Sequence, residues 1–343
     1  MDIADSIKKL QDCIHRDDRA GASALLDVHP ELLHKRLSRN WGAPMAYAAN
    51  LGRMDLIRDF AARGATDFQH AFDRSCLQGQ LEVARWMMEM GATLKMGIIM
   101  GCCETLNSDG LEFLLDLGAA VADEHGDKLA PIALVLQTYS RNPVGKHQCL
   151  EALVRYGGDL LDTALVAFHR GRIDLLEGHL LRDPELLQRR FSYEELYPMA
   201  LGCHAPSTQY GLHGAPLSGC GLLHMAVDFD EQEIFDWLLE KGADPNLEAI
   251  VDERGFGKQT PLFNTVVSQS YQCGRQRDGM MAKELLRRGA NPSHRATLKK
   301  AILFSDDDTT HEYRDVTPFE FGNRFSHQNW VNPSAMKAIS ELY

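Results

Sequence analysis

The chain reads as an all-α stack of helical hairpins, a solenoid, and three observations predict this class. A Gly-Ala doublet recurs at Gly64-Ala65, Gly91-Ala92, Gly118-Ala119, Gly242-Ala243 and Gly289-Ala290, with Gly157-Gly158 standing in once. A stretch with apolar residues at helical spacing precedes each doublet. Proline sits where first helices should begin, at Pro44, Pro131, Pro261 and Pro318. Glycine ends a helix in the left-handed conformation without a Cβ clash. Proline loses nothing in the first turn, where its missing N–H would have had no partner.

The hairpins follow in order. A first helical pair covers residues 4–34. It ends on Pro30-Glu31-Leu32-Leu33 rather than Gly-Ala, and Pro184-Glu185-Leu186-Leu187 repeats that ending. The second helices run over 54–63, 81–90, 111–117, 148–156, 231–241 and 280–288. Leu56, Ile57 and Phe60, or Ile234, Trp237 and Leu238, place their apolar stripe on one side. The copy near Gly97–Gly118 carries the weakest pattern. Thr260 and Thr317, just ahead of their prolines, are expected N-caps. Doublets at 64, 91 and 118 are 27 residues apart, whereas 242 and 289 are 47 apart. Lean repeats (1–202) are thus followed by elaborated ones (203–343), all within one domain spanning 1–343.

Thr260-Pro261-Leu262-Phe263 and Thr317-Pro318-Phe319-Glu320 keep the first half of a Thr-Pro-Leu-His-x-Ala signature. Leu222-Leu223-His224-Met225-Ala226 keeps its second half. In these residues the chain resembles the ankyrin-repeat family. The resemblance implies an ankyrin-repeat solenoid of about nine hairpins, with short repeats first and long loop insertions at the C-terminal end. It also implies a protein partner, bound through the concave face and the C-terminal loops. The ending and the stretch 257–263 further resemble the C-terminal part of a group of bacterial ankyrin proteins, a likeness that brings no activity with it.

Charge narrows the partners. Thirty-six Lys and Arg against 48 Asp and Glu give −12, which argues against phosphate backbones and anionic membranes. No apolar run approaches the roughly 20 residues that span a bilayer. The N-terminus Met1-Asp2-Ile3-Ala4-Asp5 lacks the character of a secretory signal. Eight cysteines without a Cys-x-x-Cys pair suit a reduced, cytoplasmic protein.

The insertions 204–221, 247–259 and 268–279 and the tail 303–333 are where function is expected, because loops approach ligands while helices hold them. Cys203, His204, His213, Cys220 and His224 have the residue types of a zinc site. They lack a tight half-site, however, and His224 occupies the family's structural His position, so no metal and no cofactor are assigned. Arg254, Asp252, Arg275, Arg277, Arg314 and Trp330 are the expected binding anchors, beside Tyr271. Asp306–Asp308 reads as solvated charge, since a calcium loop would need alternating ligands and a terminal Glu. The alternative is an enzyme or small-molecule binder in which these loops close a polar pocket over the groove. There His311 would act as base, oriented by Asp315, with Tyr313 and His213 nearby. No nucleophile elbow, zinc-protease helix or dinucleotide fingerprint supports catalysis directly.

Overall fold

A computed structural model of the chain describes residues 3–38, 41–204, 216–301 and 310–342. Among them nine helical pairs follow one another. The first five pairs are Ile3–Arg16 with Arg19–Val28, Pro44–Asn50 with Met54–Ala62, Phe68–Leu77 with Leu81–Glu89, Met100–Thr105 with Ser108–Asp116, and Ala130–Gln137 with Pro143–Arg155. The remaining four are Ala164–His169 with Ile173–Arg182, Leu222–Phe229 with Gln232–Glu240, Pro261–Val266 with Met280–Arg287, and Pro318–Arg324 with Pro333–Ser340. They group into two compact units, residues 1–135 with 148–158, and 136–147 with 159–343.

Sequence explains each hairpin locally. Gly64, Gly91, Gly118, Gly157, Gly242 and Gly289 all have φ between 90° and 100°, the left-handed region closed to most side chains. At the second stop the Gly64 N–H donates to the Ala61 carbonyl (2.9 Å) and the Ala65 N–H to that of Phe60 (3.0 Å), satisfying carbonyls the helix end would orphan. Leu56, Ile57 and Phe60 are buried, as are Ile234, Trp237 and Leu238. The two Pro-Glu-Leu-Leu endings fold as 3₁₀ turns, Pro30–His34 and Pro184–Leu187.

Within each unit, first helices stack on first helices: Pro44–Asn50 on Phe68–Leu77 in the first, Leu222–Phe229 on Pro261–Val266 and the latter on Pro318–Arg324 in the second. In the second unit His224 links neighbouring repeats. Its Nδ1 accepts from the Gly221 N–H (3.3 Å), which leaves Nε2 to donate to the Gln259 carbonyl (2.9 Å). Burial pushes this imidazole down to about 4, so it stays neutral and structural.

Two local expectations change. Thr317 caps its helix through a reciprocal box with Glu320, but the Thr260 hydroxyl makes no cap bond. The stretch between the eighth and ninth pairs is more than a loop. Strands β1 (Ala296–Ala301) and β2 (Thr310–Val316) pair antiparallel, with Leu298 opposite Tyr313, Lys299 opposite Glu312 and Lys300 opposite His311. The alternation Leu298-x-Lys300 and His311-x-Tyr313 is a period-2 signal that a helical reading passes over. No helix among the described residues is long and apolar enough to cross a membrane.

Candidate functional site

The β-hairpin of the second unit sorts its side chains by face. Cross-strand partners share a side, so Leu298, Tyr313, Lys300 and His311 lie on one face and Lys299, Glu312 and Arg314 on the other. Tyr313 is buried. Its ring stacks on Phe325 (5.6 Å) and meets Phe321 edge-on (5.0 Å), and its hydroxyl accepts from the Ser326 N–H (3.2 Å). The phenol is therefore a packing residue and not a catalytic donor. Asp315 falls just past the register irregularity with φ 49°. Its carboxylate pairs with Arg295 (3.0 Å), so the structure gives it an ion-pair role in place of orienting His311. His213 lies outside the described residues. Among the described residues, Tyr313 and Asp315 are thus engaged by Phe325, Ser326 and Arg295.

The outer face keeps more of the expected anchors. Lys299 Nζ donates to Asp252 (2.9 Å) and lies 4.6 Å from the centre of the Phe256 ring; Arg314 lies 5.1 Å from the same ring and bonds Glu312 (2.7 Å). The bond from Lys299 is the main reason the Asp252 carboxyl sits below its ordinary value. The turn that carries Asp252 and exposed Arg254 is held by the Asp252 side chain, which accepts from the Arg254 and Phe256 N–H groups (both 2.9 Å). Gly257 ties that turn to β1: its N–H donates to the Thr297 carbonyl (2.7 Å), and a Cβ there would meet the Ile250 carbonyl. Beside this turn lies an open cleft of about 420 Å³, lined by Arg190, Glu195, Ile250, Asp252, Phe256 and Lys299 among others.

A second cleft of about 520 Å³ is bordered by Asp230, Gln276, Arg277, Asp278 and Met280. Arg275 pairs with Asp230 here, and the Arg277 guanidinium covers the Tyr271 ring at 4.8 Å. Trp330 is not an anchor. It is buried, and its carbonyl accepts from the Ser268 N–H (3.1 Å).

The densest chemistry of this unit is internal and was not foreseen. Arg141 and Asp228 form a fully buried ion pair (3.1 Å), and Arg141 also donates to the Asp228 carbonyl (3.2 Å) and to that of Thr138 (3.2 Å). The Arg141 guanidinium sits 4.7 Å and the Lys146 ammonium 4.1 Å from the centre of the Phe229 ring. His147 binds the buried Glu231 carboxylate at 3.0 Å. Lys300, on the inner face of β1, is buried within electrostatic reach of Asp228 and Arg141. Desolvation pulls both lysines down to about 7. The available signals were a lysine on the apolar face of a strand, an aspartate near the end of the Leu222–Phe229 run, and two cations flanking Pro143, Arg141 before the helix and Lys146 in its first turn.

Groups of three or more His, Cys, Asp or Glu arranged to hold a metal do not occur among the described residues. The cysteines are all free thiols. Burial raises Cys76, Cys149 and Cys203 to about 12, which keeps them protonated and unreactive.

With this geometry in view, comparison with known proteins places the repeats. Residues 218–250 match the family model for the ankyrin repeat. The chain carries an ankyrin repeat there, and a helical hairpin with a glycine stop recurs before and after it. Among solved structures, the chain is similar to the human ASB11 ankyrin repeat domain, at 14% identity over 88% of this chain and 98% of that one, with a TM-score of 0.30. No curated protein matches the chain by sequence. Ankyrin repeats generally mediate protein–protein interaction.

Proposed function

We propose that the protein is a recognition module that binds a protein partner through the outer face of the β-hairpin and the adjoining 247–259 turn. The observation that carries this reading is the set of side chains presented there. Arg314 and Lys299 lie against Phe256, Arg254 is exposed, Ile250 lines an open cleft, and Val251 beside it is exposed as well. Arginine and aromatic side chains combine large contact area with a polar end, as binding hot spots do. Asp252, pinned by two backbone bonds and Lys299, holds the turn in shape before binding, so little ordering entropy opposes association. Arg275 and Arg277, on the second cleft, would extend the contact. A reduced, cytoplasmic setting fits the free thiols, and nucleic acid and membrane surfaces remain poor partners for a chain of charge −12.

Photo-crosslinking residues installed at positions 254 and 314 test the reading against the same residue at 58 and 82. A protein adduct formed at 254 or 314 and competed away by unlabelled protein is expected, with the adduct at 254 lost in Lys299→Ala/Arg314→Ala. Adducts confined to 58 and 82 would assign recognition to the lean repeats instead.

A further inference from the structure

The cleft beside the 247–259 turn carries one polar side chain whose bonding is incomplete. Gln259 lines it and is only 1% exposed. Its main chain is fixed, because its carbonyl accepts from the Ala249 N–H (2.9 Å) and from His224 Nε2 (2.9 Å). Its carboxamide is fixed as well. Nε2 donates to the Pro216 carbonyl (2.9 Å), and a carbonyl can only accept, so this bond decides which end of the group is nitrogen. The other end, Oε1, has no hydrogen-bond partner. Native proteins satisfy nearly all buried acceptors, and one left open in the lining of a cleft calls for a donor from outside.

A second group lining the cleft is only partly engaged. Arg190 donates to the carbonyls of Glu248 (3.0 Å) and Gln188 (3.3 Å) and makes no ion pair among the described residues. The other charges of the lining are already matched, Lys299 with Asp252 (2.9 Å) and Glu195 with Arg189 (2.7 Å). Phe191, Ile250, Phe256 and Leu298 supply apolar wall.

We propose, resting on the recognition reading above, that this cleft receives a tyrosine or tryptophan side chain of the protein partner, whose O–H or N–H donates to Gln259 Oε1 while a neighbouring carboxylate of the partner meets Arg190. The walls disfavour other donors. A lysine or arginine would bring a further cation beside Arg190 and Lys299 and lose hydration against apolar side chains. A serine or threonine would leave most of the 420 Å³ unfilled, and an amide side chain would set a polar body against Ile250 and Leu298. An aromatic ring with a single polar edge matches both the walls and the one open acceptor. The Arg190 guanidinium can then cover the ring face.

Capped dipeptides titrated into the full chain and followed by saturation-transfer NMR test this. The probes are acetyl-glutamyl-tyrosine amide, its tryptophan and phenylalanine counterparts, and acetyl-glutaminyl-tyrosine amide. Saturable binding of the tyrosine or tryptophan probe is expected, at least about fivefold tighter than that of the phenylalanine probe, which lacks the donor. The tighter of the two tells phenol from indole chemistry. Gln259→Met should erase the discrimination against phenylalanine, and Arg190→Gln the preference for glutamyl over glutaminyl. Gln259→Met also releases the Pro216 carbonyl, so if that variant fails to fold, the probe comparison on the unaltered chain decides. Equal binding of the three aromatic probes, no saturation up to about 10 mM, or discrimination that survives in folded Gln259→Met overturns the proposal. Equal binding of the glutamyl and glutaminyl probes overturns its Arg190 half. The recognition reading fails separately: adducts at 254 and 314 would persist if the cleft took a different side chain, and adducts confined to 58 and 82 would remove the partner whatever the dipeptides do.

Discussion

The two compact units are built from the same hairpin and differ in what they bury. Of the buried polar side chains among the described residues, the first unit holds three, Ser6, Asn50 and Ser75; the second holds seventeen, including Arg141, Lys146, Asp228, Glu231 and Lys300. The two whose bonds are simplest are answered close by: the Ser75 hydroxyl donates to the Phe72 carbonyl (2.8 Å) and Asn50 accepts from Arg74 (2.5 Å). A helical hairpin of this kind needs only an apolar stripe and a glycine stop, as Met54–Ala62 with Gly64 in the first unit illustrates. Polar atoms inside the second unit oppose folding unless paired. Their concentration in one unit makes its stability depend on pairing as well as on apolar packing.

The sharpest way to break this contrast is to remove one carboxylate from each unit. Asp228→Ala strands the buried Arg141 guanidinium, and urea unfolding should show a loss of about 3–5 kcal/mol. Asp27, which pairs with Arg63 at 2.8 Å but is mostly exposed, should cost less than about 1 kcal/mol when changed to Ala. Equal losses would mean that the interior of the second unit is hydrated and its ion pair screened.

Apolar packing, in contrast, should not distinguish the units. Trp237→Ala in the second and Phe60→Ala in the first each remove a buried aromatic ring and should each cost about 3–5 kcal/mol. A loss below about 1 kcal/mol at Trp237 would place that helix face in solvent.

Acid–base linkage separates them again. Lys146 and Lys300 fall from an ordinary 10.5 to about 7 on folding. Between these values the unfolded chain holds protons that the folded chain has released, so their contribution to stability increases as pH rises from 7 to 10.5. Below 7 both states are protonated and the full penalty remains. Lys146→Met abolishes its share, so the variant's advantage over the parent should be largest near pH 7 and shrink towards pH 10.5. An advantage independent of pH would show that Lys146 keeps its ordinary affinity for protons.

The hairpins were legible in the sequence because their determinants are local. Gly64 and Gly242 stop helices by backbone geometry, and Leu56, Ile57 and Phe60 mark a face by spacing alone. The Lys299–Asp252 contact was half legible: Asp252 and Arg254 stood out in a glycine-bounded turn, but the partner came from a strand concealed inside an apparent tail. The buried centre was not legible at all. Arg141, Asp228 and Lys300 are separated by 87 and 72 positions in the sequence, and only the stacking of repeats makes them neighbours. Tyr313 and Trp330 misled for a related reason, since an aromatic in a loop-like stretch reads as a site residue until a core is found beneath it.

The smallest effect sharpens the comparison by being the same in both units. Helix caps are local, and their contribution should not depend on what the interior holds. In the first unit Asp18 accepts from the Gly21 N–H (2.9 Å) at the start of Arg19–Val28. In the second, Thr317 accepts from the Glu320 N–H (3.2 Å), while Glu320 accepts from the Thr317 N–H (3.1 Å). Changing either residue to Ala leaves one first-turn donor without its partner, at about 1 kcal/mol each. Thr317 is mostly buried, so water replaces the lost bond less readily there, and any inequality should make Thr317→Ala the worse of the two. The double variant should lose the sum of the single losses, since the two caps share no partner. A cap loss several times larger at Thr317 would tie the start of its helix to the strand beside it, through Arg295, which bonds Glu320 (2.9 Å) and pairs with Asp315. The polar network of the second unit would then reach its helix ends as well as its interior.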